Sequence, residues 1–151
     1  MPQATAKDNA LLKWQENFGV GHRGLDTEHR RLVGIINQIH DAEAAACTPR
    51  QLLDLANALY VVAMEHFRHE NALMRDIIAG AYLPPSGGQK ISEDVVNEHC
   101  AGHANALIEL ETMLHSAVSD DHARLAALLS DWFVDHALKH DAHLRAFFQP
   151  E

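Results

Sequence analysis

The chain has 151 residues, a length that fits one domain with a sizeable apolar core. Its 21 acidic residues outnumber its 12 lysines and arginines, which disfavours nucleic acid or an anionic membrane as a partner. The first ten residues lack the apolar run of a signal peptide, and no segment has the roughly 20 apolar residues of a transmembrane helix. The sequence therefore predicts one domain over 1–151 that is cytoplasmic and has no nucleic-acid or membrane partner.

The N-terminal segment, residues 1–21, is expected to form an arm. Its glycines interrupt any long helix, whereas Trp14 and Phe18 are too apolar for a free tail. We expect the arm to lie across the domain with both rings buried. Apolar residues at three- and four-residue spacing then predict a first helix over about 25–45, starting near residues 26–27.

Three further helices are predicted from the same spacing. Thr48 and Pro49 are typical of a helix start, with the threonine as the cap and the proline in the first turn. These three helices are expected over about 49–79, 92–118 and 121–147. Short or modest connections between four helices favour an all-α fold, an up-down-up-down four-helix bundle with an N-terminal arm.

Histidine is unusually frequent, with 12 residues, and this excess indicates a metal site or a pH switch. His66 and Glu70 lie one helical turn apart, as do His99 and His103, so each pair can face one point. Inward-facing positions on the four predicted helices hold five histidines and Glu70, and Asp141, five residues after His136, lies near the same inward edge. These candidate metal ligands are His29, His66, Glu70, His99, His103, His136 and Asp141.

A single histidine on an apolar helix face is more often a hydrogen-bonded core residue than a metal ligand. Five imidazoles and two carboxylates in one bundle centre would instead carry a desolvation cost of several kcal/mol per ionised group, which a metal removes. Seven ligands are too many for one tetrahedral zinc and too rich in nitrogen for calcium or magnesium. They suit two ions. If Glu70 and Asp141 bridge both ions and the histidines divide three and two, a solvent bridge leaves one open position.

The sequence resembles the hemerythrins, and the bacterial hemerythrins in particular, over roughly residues 14–147. The matching segments are Trp14 with Phe18–Gly21, Asp26–His29 with Leu32, His66–Glu70 with Met74, the HxxxH spacing of His99 and His103, and Trp132 with the HxxxxD spacing of His136 and Asp141. All seven positions of the family's ligand pattern hold the expected residue. The joint pattern is far more specific than any of its pieces.

The resemblance implies two non-haem iron ions joined by an oxo or hydroxo bridge, with dioxygen bound end-on at the open iron. By analogy, His99, His103 and His136 would hold one iron, and His29 and His66 would hold the iron that binds oxygen. The resemblance implies reversible dioxygen binding for storage, delivery or sensing, small anions as further ligands, and no enzyme activity beyond weak peroxidase or oxidase turnover. The expected lining of the oxygen pocket is Leu32, Phe67, Trp132, Phe133 and Ala137.

Two features depart from the family pattern. Glu70 and His99 are separated by 29 positions, and a Pro/Gly-rich insertion at 80–92 is either a plain loop extension or a lid or protein-partner surface. Ala137 is smaller than the aliphatic residue that usually faces the oxygen pocket. We therefore expect a wider pocket, with faster autoxidation or entry of azide and peroxide, unless Met64 or the insertion fills the gap.

Other functions remain open at the level of the sequence. Peroxide or nitric oxide turnover at the same iron would be favoured by the small Ala137. An oxygen-sensing or redox-sensing input module of a signalling pathway would use the insertion or the arm to transmit the state of the irons. Iron storage is disfavoured, because no second carboxylate cluster for mineral nucleation is visible.

Overall fold

The computed structural model describes residues 11–42, 45–80, 92–117 and 122–148. Within these ranges the chain is all-helical. In chain order the elements are a 3-10 turn Glu16–Phe18, α1 Arg23–His40, α2 Pro49–Ile78, α3 Glu93–Ala117, α4 His122–Asp135, a π-turn His136–His140 and α5 Ala142–Phe148. Helix α1 packs against α2 and α4, and α3 packs against the same two neighbours. This arrangement confirms the predicted antiparallel four-helix bundle.

The start of α1 differs from the sequence prediction. The helix begins at Arg23 instead of near residues 26–27, and the ring of His22 caps it by accepting a hydrogen bond from the Leu25 amide (3.3 Å). Asp26 lies inside the helix, and its carboxylate accepts the Val20 amide (2.7 Å). Asp26 therefore holds the arm, because a carboxylate one turn into the helix still reaches the chain that precedes it.

The start of α2 is as predicted. The Thr48 hydroxyl accepts the amide of Gln51 (3.1 Å), and the side chain of Gln51 accepts the Thr48 amide in return (2.8 Å). Pro49 occupies the first helical position, where its missing N–H has no consequence. This capping box begins a helix of 30 residues, about 45 Å long, which spans the bundle and carries two of the candidate ligands.

The arm is tied to α1 over its described part, residues 11–21. The backbone of Leu12 exchanges two hydrogen bonds with the Asn37 side chain (2.9 and 2.8 Å). Phe18 is buried, as predicted, whereas Trp14 is only half-buried and lies under the guanidinium of Arg30 at 4.0 Å. This cation–π contact allows the indole ring to remain partly in solvent. Residues 1–10 of the predicted arm lie outside the described residues.

The predicted fourth helix is interrupted. After α4, the chain widens into the π-turn, where the amide of Asp141 donates to the carbonyl of His136 (3.1 Å), five residues back. An α-helix would make this bond four residues back. Helix α5 then resumes from Ala142.

The described core has two apolar clusters. The larger one extends along α1, α2, α3 and α4 and includes Leu32, Leu59 and Phe67. The smaller cluster lies at the end of the bundle where α1 begins. It comprises Val20, Leu25, Leu73, Met74, Ile77, Val96, Leu144 and Phe147. The candidate metal ligands fall between the two clusters along α1, α2 and α3, so a polar layer separates the apolar ones.

The insertion predicted at 80–92 lies almost wholly outside the described residues. At its borders, Gly80 has a positive φ of 85°, and the Ser92 hydroxyl accepts the Val95 amide at the start of α3. Among the described helices, none has both the length and the apolar character that crossing a membrane requires.

Candidate metal centre

All seven predicted ligands meet at one place in the bundle. Each is buried, with at most 4% of its surface exposed. Their ligand atoms form two overlapping groups in which every atom lies within 4.8 Å of the others, and Glu70 and Asp141 belong to both groups. One group adds His29, His66 and His136, and the other adds His99 and His103.

The two oxygens of Glu70 face different histidines. Oε1 lies 2.8 Å from Nε2 of His66, whereas Oε2 lies 2.8 Å from Nε2 of His103 and 3.1 Å from that of His99. Asp141 is placed similarly, since its Oδ2 lies 3.1 Å from Nε2 of His29 and its Oδ1 faces His99 at 3.7 Å. Each carboxylate therefore spans the two halves of the cluster, as a bridging ligand must.

The imidazole rings of His29 and His66 are oriented by hydrogen bonds from Nδ1, the ring nitrogen that points away from the cluster. Nδ1 of His29 donates to the carbonyl of Phe18 (2.6 Å), and Nδ1 of His66 donates to Glu28 Oε1 (3.0 Å). With Nδ1 as the donor, Nε2 carries the lone pair that a metal requires. The Nε2 atoms of His29 and His66 lie 3.0 Å apart, so a proton or a metal ion has to lie between them.

His103 is oriented in the same way, because its Nδ1 donates to the Asn71 side-chain oxygen (2.6 Å). Sequence reasoning missed the orienting roles of Glu28 and Asn71. The only available signal was their adjacency to ligands, Glu28 before His29 and Asn71 after Glu70, and adjacency does not specify a partner 32 or more residues away. These contacts depend on how the helices pack.

Several buried ligand atoms have no hydrogen-bond partner among the described residues outside the ligand cluster itself. They are Glu70 Oε1, His103 Nε2 and both carboxylate oxygens of Asp141. Burying an ionised carboxylate oxygen without compensation costs far more free energy than burying a neutral polar group without a hydrogen bond. Cations at the cluster would satisfy all four atoms at once. The residues present therefore fit a pair of metal ions.

The charge balance of the cluster favours cations as well. Burial alone would lower the pKa of His66, but the charge of Glu70 and hydrogen bonds with Glu28 and Glu70 raise it to about 9. Burial likewise opposes the charged form of His136, but Asp141 and Glu70 raise its pKa to about 10. Burial would raise the pKa of Glu70, yet His66 and His136 hold it well below its ordinary value. The two buried carboxylates thus demand compensating positive charge.

The pKa of His103 is shifted in the opposite direction. Burial lowers its pKa to about 4, and the adjacent Glu70 carboxylate only partly opposes this. Its imidazole is therefore neutral at ordinary pH, which is the protonation state that binds a metal. Burial and the charge of Glu70 would raise the pKa of Asp141, but His136 and the nearby imidazole of His29 lower it. Asp141 is accordingly ionised.

The five residues expected to line an oxygen pocket, Leu32, Phe67, Trp132, Phe133 and Ala137, are all buried in the larger apolar cluster. Three of them contact ligand rings. Phe67 stacks on His103 with centroids 4.3 Å apart, Phe133 meets His29 edge-on at 5.4 Å, and Trp132 stacks beside His136 at 6.5 Å. One side of the centre is therefore apolar. Their role around oxygen stays a prediction.

The division of the histidines between two ions also stays a prediction. The resemblance implies that His136 joins His99 and His103. In the structure its Nε2 lies 3.3 Å from Nε2 of His66 and 3.0 Å from Asp141 Oδ2, on the side of His29. His136 lies in the π-turn next to both halves of the cluster, so the geometry alone does not assign it.

Comparison with known proteins agrees with this site. The model of the hemerythrin HHE cation-binding domain matches residues 20–147. A bacteriohemerythrin of Pseudomonas aeruginosa is 26% identical over 133 residues, covering 88% of this chain and 78% of the relative. One of Stenotrophomonas maltophilia is 25% identical over 146 residues, covering 91% and 87%. From its family match over most of its length and its buried histidine–carboxylate cluster, the chain belongs to the hemerythrin family of cation-binding domains.

Proposed function

We propose that this protein binds dioxygen reversibly at a pair of non-haem iron ions. The observation that carries the proposal is the cluster of five buried histidines and two buried carboxylates, in which both carboxylates belong to both groups of ligand atoms. A donor set with imidazoles and few carboxylates suits iron, and it differs from the four-glutamate pattern of ferritin-like di-iron proteins. The relatives named bacteriohemerythrin support the same assignment.

Ligand counting supports one reactive position. Glu70 and Asp141 would bridge the ions, and the five histidines would divide three and two. With one further ligand from solvent shared between them, one ion would have six ligands and the other five. The iron pair would supply the two electrons that reversible dioxygen binding requires. We place the open position at the ion held by two histidines, following the family resemblance, with His29 and His66 as its ligands.

The protein's own contribution is to hold the donors and to keep protons away. The orienting bonds from Phe18, Glu28 and Asn71 fix the imidazole rings. Phe67 and Phe133 cover ligand rings with hydrocarbon. An apolar cover of this kind excludes water and supplies few protons to the site, which would favour release of dioxygen over its reduction. This favours binding over turnover and argues for a protein that is not an enzyme.

A second candidate function is peroxide turnover, and one observation favours it. A surface groove of about 540 Å³ between α3 and α4 has His136 and Trp132 at its inner side. The small residues Gly102 and Ala106 line it, together with the carboxylates of Asp131 and Asp135. A small neutral molecule such as hydrogen peroxide could approach a ligand of the centre by this route, whereas the carboxylates would repel anions.

Gas-uptake and peroxide assays separate the two functions. The reduced, iron-loaded protein should take up one dioxygen per iron pair and release it under argon through repeated cycles without consuming a reductant. A peroxidase would instead consume peroxide and an electron donor continuously. Continuous consumption with no reversible uptake would replace the first proposal by the second.

A further inference from the structure

The π-turn explains how a ligand spacing of five residues can work. In a straight α-helix, residues five apart point about 140° away from each other, so His136 and Asp141 could not meet at one ion. The π-turn adds a residue to this turn, as the bond from the Asp141 amide to the His136 carbonyl shows. Asp141 Oδ2 consequently comes within 3.0 Å of Nε2 of His136.

The widened turn changes the partner of one carbonyl group. In an α-helix the Asp141 amide would donate to the carbonyl of Ala137, but here it donates to His136. The Ala137 carbonyl accepts a hydrogen bond from Nη2 of Arg145. Arg145 belongs to α5, and its own amide donates to the Asp141 carbonyl (3.0 Å). Both the backbone and the side chain of Arg145 therefore contact the π-turn.

The same guanidinium reaches the arm. Nε of Arg145 donates to the Gly19 carbonyl (3.2 Å), across 126 positions of sequence. Gly19 follows Phe18, whose carbonyl orients the imidazole of His29 (2.6 Å). The next amide, that of Val20, is held by Asp26 (2.7 Å). The arm at this point is thus fixed from α1 and from α5, and it fixes a candidate ligand in turn.

We propose that Arg145 is a positioning residue for the metal centre. Its planar guanidinium joins two backbone segments, the π-turn that carries Asp141 and the arm whose Phe18 carbonyl orients His29. Only a side chain with several donors in a fixed fork can satisfy both carbonyls together. The proposal rests on the metal centre proposed above, because both positioned residues are its candidate ligands.

The first test measures iron release. Wild type, Arg145→Gln, Arg145→Lys and the control Arg75→Gln, which changes an exposed arginine of α2, are loaded with ferrous iron and mixed with excess ferrous chelator. Arg145→Gln should release iron about 10- to 100-fold faster than wild type, as loss of a residue behind metal ligands does. Arg145→Lys should fall between, since lysine reaches one carbonyl, and Arg75→Gln should match wild type.

A second variant separates positioning from general destabilisation. Leu114→Ala removes a buried side chain about 16 Å along α3 from His103, far from Arg145. It should lower the thermal midpoint at least as much as Arg145→Gln and yet release iron at close to the wild-type rate. If Leu114→Ala releases iron as fast as Arg145→Gln, stability alone controls release and the positioning role is wrong.

A third measurement needs no metal. In the metal-free proteins, amide hydrogen exchange of peptides covering 135–144 should be faster in Arg145→Gln than in wild type, with exchange in α3 unchanged. Unchanged exchange in the π-turn would overturn the positioning role. If wild type binds no iron, the proposed function fails, and the exchange result still decides whether Arg145 holds the π-turn.

Discussion

At the scale of single residues, Glu70 has the most demanding position. It is fully buried, its oxygens face histidines from different helices, and Oε1 has no hydrogen-bond partner among the described residues outside the ligand cluster. His66 and His136 hold its pKa well below the ordinary value despite burial, so it remains an anion. Such a group is destabilising unless a cation shares the site.

Replacing Glu70 by alanine removes one of the two carboxylates that belong to both groups of ligand atoms. Glu70→Ala should lose most of one iron equivalent per chain, because the remaining ligands no longer hold both ions. The measurement is iron per chain after loading and desalting. Glu65→Ala, an exposed carboxylate of the same helix, is the matched control and should keep the wild-type content. Full iron retention in Glu70→Ala would rule out a bridging role.

Glu28 acts through His66. Burial opposes its ionisation, but hydrogen bonds from His66 and His69 lower its pKa, so it orients His66 as a carboxylate. Glu28→Ala should weaken iron binding about 10- to 100-fold, measured by competition with a chelator of known affinity. The control is His69→Ala, which removes the exposed partner of Glu28 and leaves its bond to His66. Equal losses in both variants would contradict the assignment.

At the scale of elements, the sequence predicts what depends on local chemistry. The capping box at Thr48 and the spacing of His66 and Glu70 are local patterns, and both have the expected geometry. The π-turn at His136–His140 was not predicted. Its cause is not local, because it depends on a side chain of α5 and on the ligand cluster. Sequence spacing alone placed Asp141 only near the inward edge.

Alanine substitutions at two glycines test the backbone conformation inside α1 and just after α2. Gly34 lies on the exposed side of α1 with no atom within 4 Å of an added Cβ, so Gly34→Ala should stabilise the fold by about 0.5–1 kcal/mol. Gly80, just after α2, has an open environment too, but its φ of 85° is strained for alanine. Gly80→Ala should therefore destabilise by about 1 kcal/mol.

Urea unfolding measures the free energy of unfolding of both glycine variants and of wild type. Both substitutions add one methyl group without a steric clash, so the opposite signs isolate the backbone conformation. Iron content should be unchanged in both. If both substitutions change the free energy of unfolding in the same direction, the helical conformation at Gly34 or the positive φ at Gly80 is contradicted.

At the scale of the whole molecule, the candidate ligands form a charged layer between two apolar clusters. The existence of this layer could be predicted, because seven candidate ligand residues lie at or near inward positions of four amphipathic helices. The residues that orient the ligands could not, because Glu28, Asn71 and Arg145 act across helices. Their partners are set by packing angles that no sequence period encodes.

The histidines of this layer predict that the stability of the metal-free protein depends on pH. The folded-state pKa values of His66 (about 9) and His136 (about 10) lie above the ordinary value of 6.5. Their stabilisation is fully present below pH 6.5 and is lost as the pH rises through 9 and 10. His103, with a pKa of about 4, has the opposite effect, and its contribution is lost as the pH falls from 6.5 towards 4.

Urea unfolding of the metal-free protein should therefore show a lower free energy of unfolding at pH 9.5 than at pH 7. In the iron-loaded protein the metal replaces the protons on Nε2, so this alkaline loss should be largely absent. Loading at pH 7 should also release about two protons per chain from these two imidazoles, in addition to any proton released by a bridging water, and this release is detectable in a weakly buffered solution. Equal pH profiles with and without iron would contradict the placement of His66 and His136 at the metals.

The most direct test of the central claim combines metal analysis with visible spectra of the anaerobically reduced protein before and after air. We predict two irons per chain and a visible absorption band that appears with oxygen, disappears under argon and returns over repeated cycles. Zinc, an absence of bound metal, or two irons that oxidise irreversibly in air would contradict reversible dioxygen binding at this centre.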